Sequence, residues 1–251
     1  LNFDGVPNTL EPLIAQLEDF ATKTDFFTFY NAHSGLYNDQ ISYYKDSVDV
    51  TRMQEWLNRN FPATTYNCFK VIFSPLVGGS QSAKIFESNN FKEAQAHINF
   101  PYADESDKEF SAVANNMRNS YILFTELNHA YINPETEQYA ESEDLQTAFA
   151  DLTVWETEGS PASIGYANAL ACFNEYMNWS LASLYCIDFL PIAEQETLIG
   201  RLETNMQHGR GFSKFPEFNR ELMRLYQSRT EGQTIADLYP AIISWCKDQV
   251  E

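Results

Sequence analysis

The sequence is short of most features that assign a chain at a glance. Basic residues are scarce: 16 Lys and Arg stand against 35 Asp and Glu, a net charge of −19. Phosphate backbones and anionic lipid would be repelled, which argues against nucleic-acid and anionic-membrane partners. Glycine and proline are modest at 10 each in 251 residues, so neither a low-complexity nor a wholly disordered chain is expected. The four cysteines show neither a disulfide framework nor zinc-knuckle spacing. Cys172 and Cys186 are expected on one helix, where 14 residues separate them by about 21 Å, too far to bridge. The pairing of Cys68 and Cys246 stays open. No G-x-S-x-G elbow is present, and the Gly78-Gly79 turn lacks the lysine of a phosphate loop.

Long uninterrupted apolar runs are also missing. The strongest membrane candidate, 163–187, carries Asn168, Asn174, Asn178 and Glu175, which favours a buried core helix over a membrane span. The chain begins at Leu1 without a basic-plus-apolar leader, and the expectation is an exported protein, periplasmic or extracellular, whose leader has been removed.

What is present reads as α+β in one domain, 1–251. Helices are expected over 1–62, a small antiparallel or mixed sheet over 66–102, and a predominantly helical body over 106–251. Thr9 is placed as a cap for a helix presenting Leu10, Leu13, Ile14, Leu17 and Phe20 on one face. A second helix is expected near 49–61, with Val50, Met53, Trp56 and Leu57 inward. The aromatic stretch 26–40 between them reads as a turn-rich connection. Lys70–Leu76 and Ala83–Glu87 read as a hairpin about the Gly78-Gly79 turn, with Ala94–Tyr102 as a third strand.

From Ser106, with Glu109 completing a capping box, helical spacing runs to Asn133-Pro134, with a break near 115–120. The acidic stretch 135–146 reads as a surface connection, and Ser160-Pro161 opens an apolar helix to about Asp188. Shorter helices around "HGRGF" complete the chain.

Two helices are apolar nearly all round, and each carries acid. "YILFTELNHAYINP" holds Glu126 and His129, while Glu175 is the only charged residue between Pro161 and Ile187. A carboxylate in such a helix must find a cation, a metal, donors or a proton. The first stretch, as T-E-x-x-H, is one residue short of the two-histidine zinc helix of metallopeptidases. In an intact motif the histidines share a helix face and hold zinc, and the glutamate activates the bound water. Glu126 takes the base position and His129 the second histidine. Glu175, 46 positions later (175 − 129), takes the third ligand position. Thr125 stands where the first histidine belongs, and a neutral hydroxyl does not replace an imidazole.

"VIFSPLVGG", "TELNHAYINP", "NEYM" and "RGF" together resemble a bacterial domain-of-unknown-function family that is zincin-like, with similarity over about 65–245. The resemblance implies a metallopeptidase-like fold with a strand beside the cleft. The expected function is a binding or structural module with a degenerate zinc site, taking peptide or protein in the cleft. The alternative is an active metal-dependent hydrolase with Glu126 as general base and a replacement ligand. Zinc is the cofactor if any, without tight binding. His97, His208 and the early His33 are the candidate replacements, and a direct Glu175–His129 pair is the alternative to a metal. An E-x-x-H di-metal bundle needs a second such motif, which the chain lacks. Substrate and oligomeric state are not legible.

Overall fold

A computed structural model describes residues 10–74, 78–99 and 108–250, apart from the side chain of Ser47. The caps expected from Thr9 and Ser106, the residues 75–77 of the glycine turn and the bend at Pro101 lie outside them. The fold is α+β, a small mixed sheet with a mostly helical remainder. The chain divides into two compact units, residues 1–49 with 87–91, and residues 50–86 with 92–251.

The first unit holds helices α1 (Ile14–Lys23), α2 (Phe26–Ala32) and α3 (Ser34–Ser47). Stretch 26–40 is therefore helical rather than turn-rich, with the chain only kinking at His33 (φ −100°, ψ 8°). Leu13, Ile14, Leu17 and Phe20 do lie at helical spacing, yet all are exposed.

The second unit begins with α4 (Val50–Asn60), which buries Met53, Trp56 and Leu57 as the spacing requires, while Val50 is half-buried. Strands β1 (Cys68–Phe73), β2 (Ser82–Ser88) and β3 (Phe91–Ile98) follow, in the order β1-β3-β2, with the β2–β3 tip at 87–91 counted in the first unit. β1 and β3 are parallel, with Cys68 opposite Glu93 and Phe73 opposite Ile98. The hairpin expected between the first two strands is thus corrected. The glycine turn leads past β3, and the tight connection is Asn89-Asn90, both at positive φ (50° and 64°) as a type I′ turn requires. A Gly-Gly pair marks a bend but does not name the neighbouring strand. β3 buries Ala94, Ala96 and Ile98 on one face, and Phe69 of β1 stacks on Tyr131, fixing the sheet against the next long helix.

Ser111 caps the helix α5 (Ala112–Asn119), accepting the Ala114 N–H, while the Glu109 carboxylate pairs with Arg201. After a break at Ser120, α6 (Tyr121–Glu137) runs through Pro134 instead of ending there. The missing proline N–H orphans the Ala130 carbonyl, and the Tyr66 hydroxyl donates to that oxygen. Tyr66→Phe should therefore cost about 1–2 kcal/mol, read from urea unfolding, because the carbonyl then stays unpaired. The stretch 135–146 is only partly a surface connection. Glu135 and Thr136 are buried at the end of α6, and α7 (Glu143–Ala148) buries Leu145.

The apolar helix expected over 160–188 is two helices, α8 (Pro161–Gly165) and α9 (Ala169–Phe189). Asn168 makes the break: its backbone is extended and its side chain accepts the Ala171 N–H, capping α9. α9 is buried along most of its length and packs against α6. Cys172 and Cys186 share it, and all four cysteines are free thiols. α10 (Ile192–Thr204) continues into a π-helical turn (Asn205–Arg210), followed by α11 (Phe215–Gln227) and α12 (Tyr239–Asp248). No helix among the described residues is long and apolar enough to cross a membrane.

Candidate functional site

A polar cleft of about 540 Å³ opens in the second unit, lined by α6, α9, the π turn and the start of β2. On α6 the 3.6-residue repeat turns Ile122, Thr125, Glu126, His129 and Asn133 toward it. α9 contributes Glu175, Asn178 and Trp179, while Gln81, Ser82 and Ala83 come from the sheet edge. Thr125, Glu126, His129 and Glu175 therefore share one cavity, although 50 residues separate the first from the last (175 − 125).

Glu175 is 3% exposed, so its charge requires compensation. Its Oε1 accepts from Arg210 Nη2 at 2.8 Å, Trp179 Nε1 at 2.8 Å and the Tyr166 hydroxyl at 2.9 Å. Its Oε2 lies 3.8 Å from His129 Nε2, beyond hydrogen-bond length. The direct Glu175–His129 hydrogen bond considered from sequence is absent, and the cation beside Glu175 is Arg210. His129 is held by amides instead. Asn178 Nδ2 meets its Nε2 at 3.0 Å, and its Nδ1 lies 3.2 Å from Asn133 Oδ1. An imidazole protonated on Nδ1 satisfies both contacts. Asn133 Oδ1 also accepts from Asn174, whose own Oδ1 accepts from Thr136, so an amide chain fixes the ring behind the cleft.

Arg210 reaches Glu175 through unusual backbone. The π turn ends at Gly211, φ +88°, whose carbonyl accepts the Thr157 N–H. A Cβ at that glycine would lie 2.3 Å from Ser160, so both the sign of φ and the close approach demand glycine. Phe212 bridges Glu156, and the Arg210 guanidinium packs against Trp179, Phe212 and Tyr166, 5.0–5.7 Å from the ring centres. Burial, then the Glu175 charge, pushes the Tyr166 hydroxyl well above its ordinary range, so it stays a donor.

Glu126 is in a different situation. Burial first, and the nearby Glu175 charge second, push its carboxyl up to about 7, with Arg210 opposing. Thr125 is 2% exposed, and its hydroxyl donates back to the Ile122 carbonyl at 2.9 Å. Its one donor is spent within the helix, which leaves a neutral oxygen in place of an imidazole nitrogen.

The donor set does not fit a resident zinc. His129 Nε2 and Glu175 Oε2 stand 3.8 Å apart, and Arg210 already compensates the carboxylate. No group of three His, Cys, Asp or Glu side chains among the described residues is placed to hold a metal ion. Of the substitutes weighed from sequence, neither His97 nor His208 lines the cleft. His97 on β3 contacts Gln95, and His208 lines a separate groove along α10. His33 belongs to the first unit.

Arg210, Tyr166, Asn178, Asn133 and Trp179 are the site residues that spacing alone did not single out. A signal existed for Arg210, an arginine set between Gly209 and Gly211 in a chain whose buried Glu175 needed a cation.

Residues 3–245 match a family described as a domain of unknown function, DUF4932. The chain belongs to this family. No curated protein and no solved structure matches it. Every cleft residue of this DUF4932 domain, from Gly79 to Arg210, lies inside the matched span.

Proposed function

We propose that this DUF4932 domain is a metallopeptidase-like protein that binds peptide or protein in its cleft without cleaving it. The observation that carries the reading is the state of Glu175. The carboxylate in the third-ligand position is saturated on one oxygen by Arg210, Tyr166 and Trp179, while Thr125 occupies the first-ligand position. A guanidinium here supplies the positive charge that a zincin-type site takes from its metal. It activates no water, because it offers neither an open coordination position nor a strong polarising centre. The edge strand β2 supports a peptide ligand, since Ser82 and Ala83 line the cleft and edge backbone groups pair with extended chains. Export from the cytoplasm accords with this reading, and cell fractionation tests it.

The deciding experiment is metal analysis with peptide-hydrolysis assays after saturation with zinc. The wild-type protein is expected to retain less than about one tenth of an equivalent after desalting, since even loss of a ligand's outer partner costs about 10–100-fold in metal affinity. It is also expected to release no peptide products. Thr125→His alone should gain little zinc, and Thr125→His with Arg210→Met should gain more, because the competing cation has gone. Stoichiometric zinc in the wild type, with peptide cleavage abolished by Glu126→Gln, would establish the hydrolase instead.

A further inference from the structure

The cleft holds acceptors that lack donors. Glu126 lines it without a hydrogen bond or ion pair to any described residue. Glu175 Oε1 is bound three times, but Oε2 has no hydrogen bond, only His129 Nε2 at 3.8 Å. Asn178, 1% exposed, gives its Nδ2 to His129 and leaves Oδ1 buried with no partner. Glu126 and Asn178 come from different helices, so no shared local turn explains both. A buried acceptor without a donor is costly, and folding tolerates it where a ligand completes the pair.

The charge balance narrows the class of that ligand. Glu126 and Glu175 with Arg210 sum to −1 (two negative, one positive) when both carboxyls are ionised. A singly charged cation closes the sum. A divalent metal would leave an excess positive charge beside Arg210, and a carboxylate would add a third negative one. An ammonium group carries three donors and no acceptor, which matches the unpaired Glu126 carboxyl, Glu175 Oε2 and Asn178 Oδ1. The net charge of −19 favours the approach of such a ligand.

We propose that the cleft recognises a primary ammonium group of its peptide ligand, a lysine side chain or a free amino terminus, between Glu126, Glu175 and Asn178. The inference rests on the reading of the cleft as a peptide site and adds the group that it selects.

Calorimetric titration at pH 8 and low salt tests it with three peptides of equal length and otherwise neutral sequence. One is capped at both ends and carries one lysine, the second is capped with norleucine in its place, and the third carries norleucine and a free amino terminus. An ammonium-bearing peptide should bind on the order of 10-fold tighter than the capped norleucine peptide, as expected for a desolvated charge pair. Glu126→Gln, isosteric with the native side chain, should shrink that difference to about 2-fold with the fold intact by circular dichroism. Preference for the lysine peptide alone identifies a side chain as the source, and preference for the free terminus alone identifies the chain end. Equal binding of all three overturns the ammonium assignment while the peptide cleft stands. If no peptide binds but methylammonium chloride stabilises the wild type and not Glu126→Gln, the ammonium site stands and the peptide reading falls. If neither binds, both fall.

Discussion

Arg210→Met should destabilise the protein by about 3–5 kcal/mol, the cost of leaving a buried carboxylate without its cation. The side chain is replaced by one of similar length, so packing against Trp179, Phe212 and Tyr166 largely survives and the loss is electrostatic. Glu175 would keep the Tyr166 and Trp179 donors, which do not carry a full charge. Glu175→Gln in the same background should recover most of the loss, because the neutral amide needs no counter-ion. Urea unfolding of the two single variants and the double variant measures the cycle. Purely additive losses would show that Arg210 and Glu175 do not act as a pair. Arg210 also lowers the affinity of Glu126 for its proton, so its removal should move Glu126 further up.

Glu126→Gln has the opposite sign, and its effect depends on pH. The Glu126 carboxyl is raised from an ordinary 4.5 to about 7 in the folded chain, so the folded state binds the proton more tightly than the unfolded state. The stability linked to that proton is fully present below pH 4.5 and is lost as pH rises through 7. Replacing the group by a neutral amide removes the penalty of the ionised form. At pH 8 the variant should be more stable by up to about 3 kcal/mol, and at pH 4 it should match the wild type. Thermal unfolding at the two pH values reads both limits. Equal stability at pH 8 would mean that Glu126 is better solvated than its place among Ile122, Glu175 and Arg210 requires. Stabilisation on replacing Glu126 would accord with a role in ligand binding, given the common opposition between function and stability.

The two buried helices were legible because apolar residues surround them on nearly every face, and no surface helix affords that pattern. Their ends were less legible. Asn168 splits the longer run because its side chain competes for the Ala171 N–H, and α6 outlasts Pro134 because Tyr66, 64 residues away, supplies the donor its carbonyl lacks. The first is a local asparagine cap set inside an apolar run, and only the second lacks a local signature. The strand order failed for a related reason. Residues 66–99 contain two turn signals, Gly78-Gly79 and Asn89-Asn90, and the long-range parallel pairing of β1 with β3 leaves the second as the hairpin.

At the site, local chemistry and long-range pairing divide cleanly. That Glu175 is buried and requires compensation follows from the 25 apolar-rich residues around it, since desolvation of a charge is a local penalty. That Glu126 and His129 share a face follows from helical spacing. The identity of the compensating cation does not. Arg210 lies 35 residues beyond Glu175 and reaches it through a π turn and a glycine pressed against Ser160. Composition and periodicity announce the need for a charge. Which side chain meets it depends on backbone geometry that only the packed chain creates.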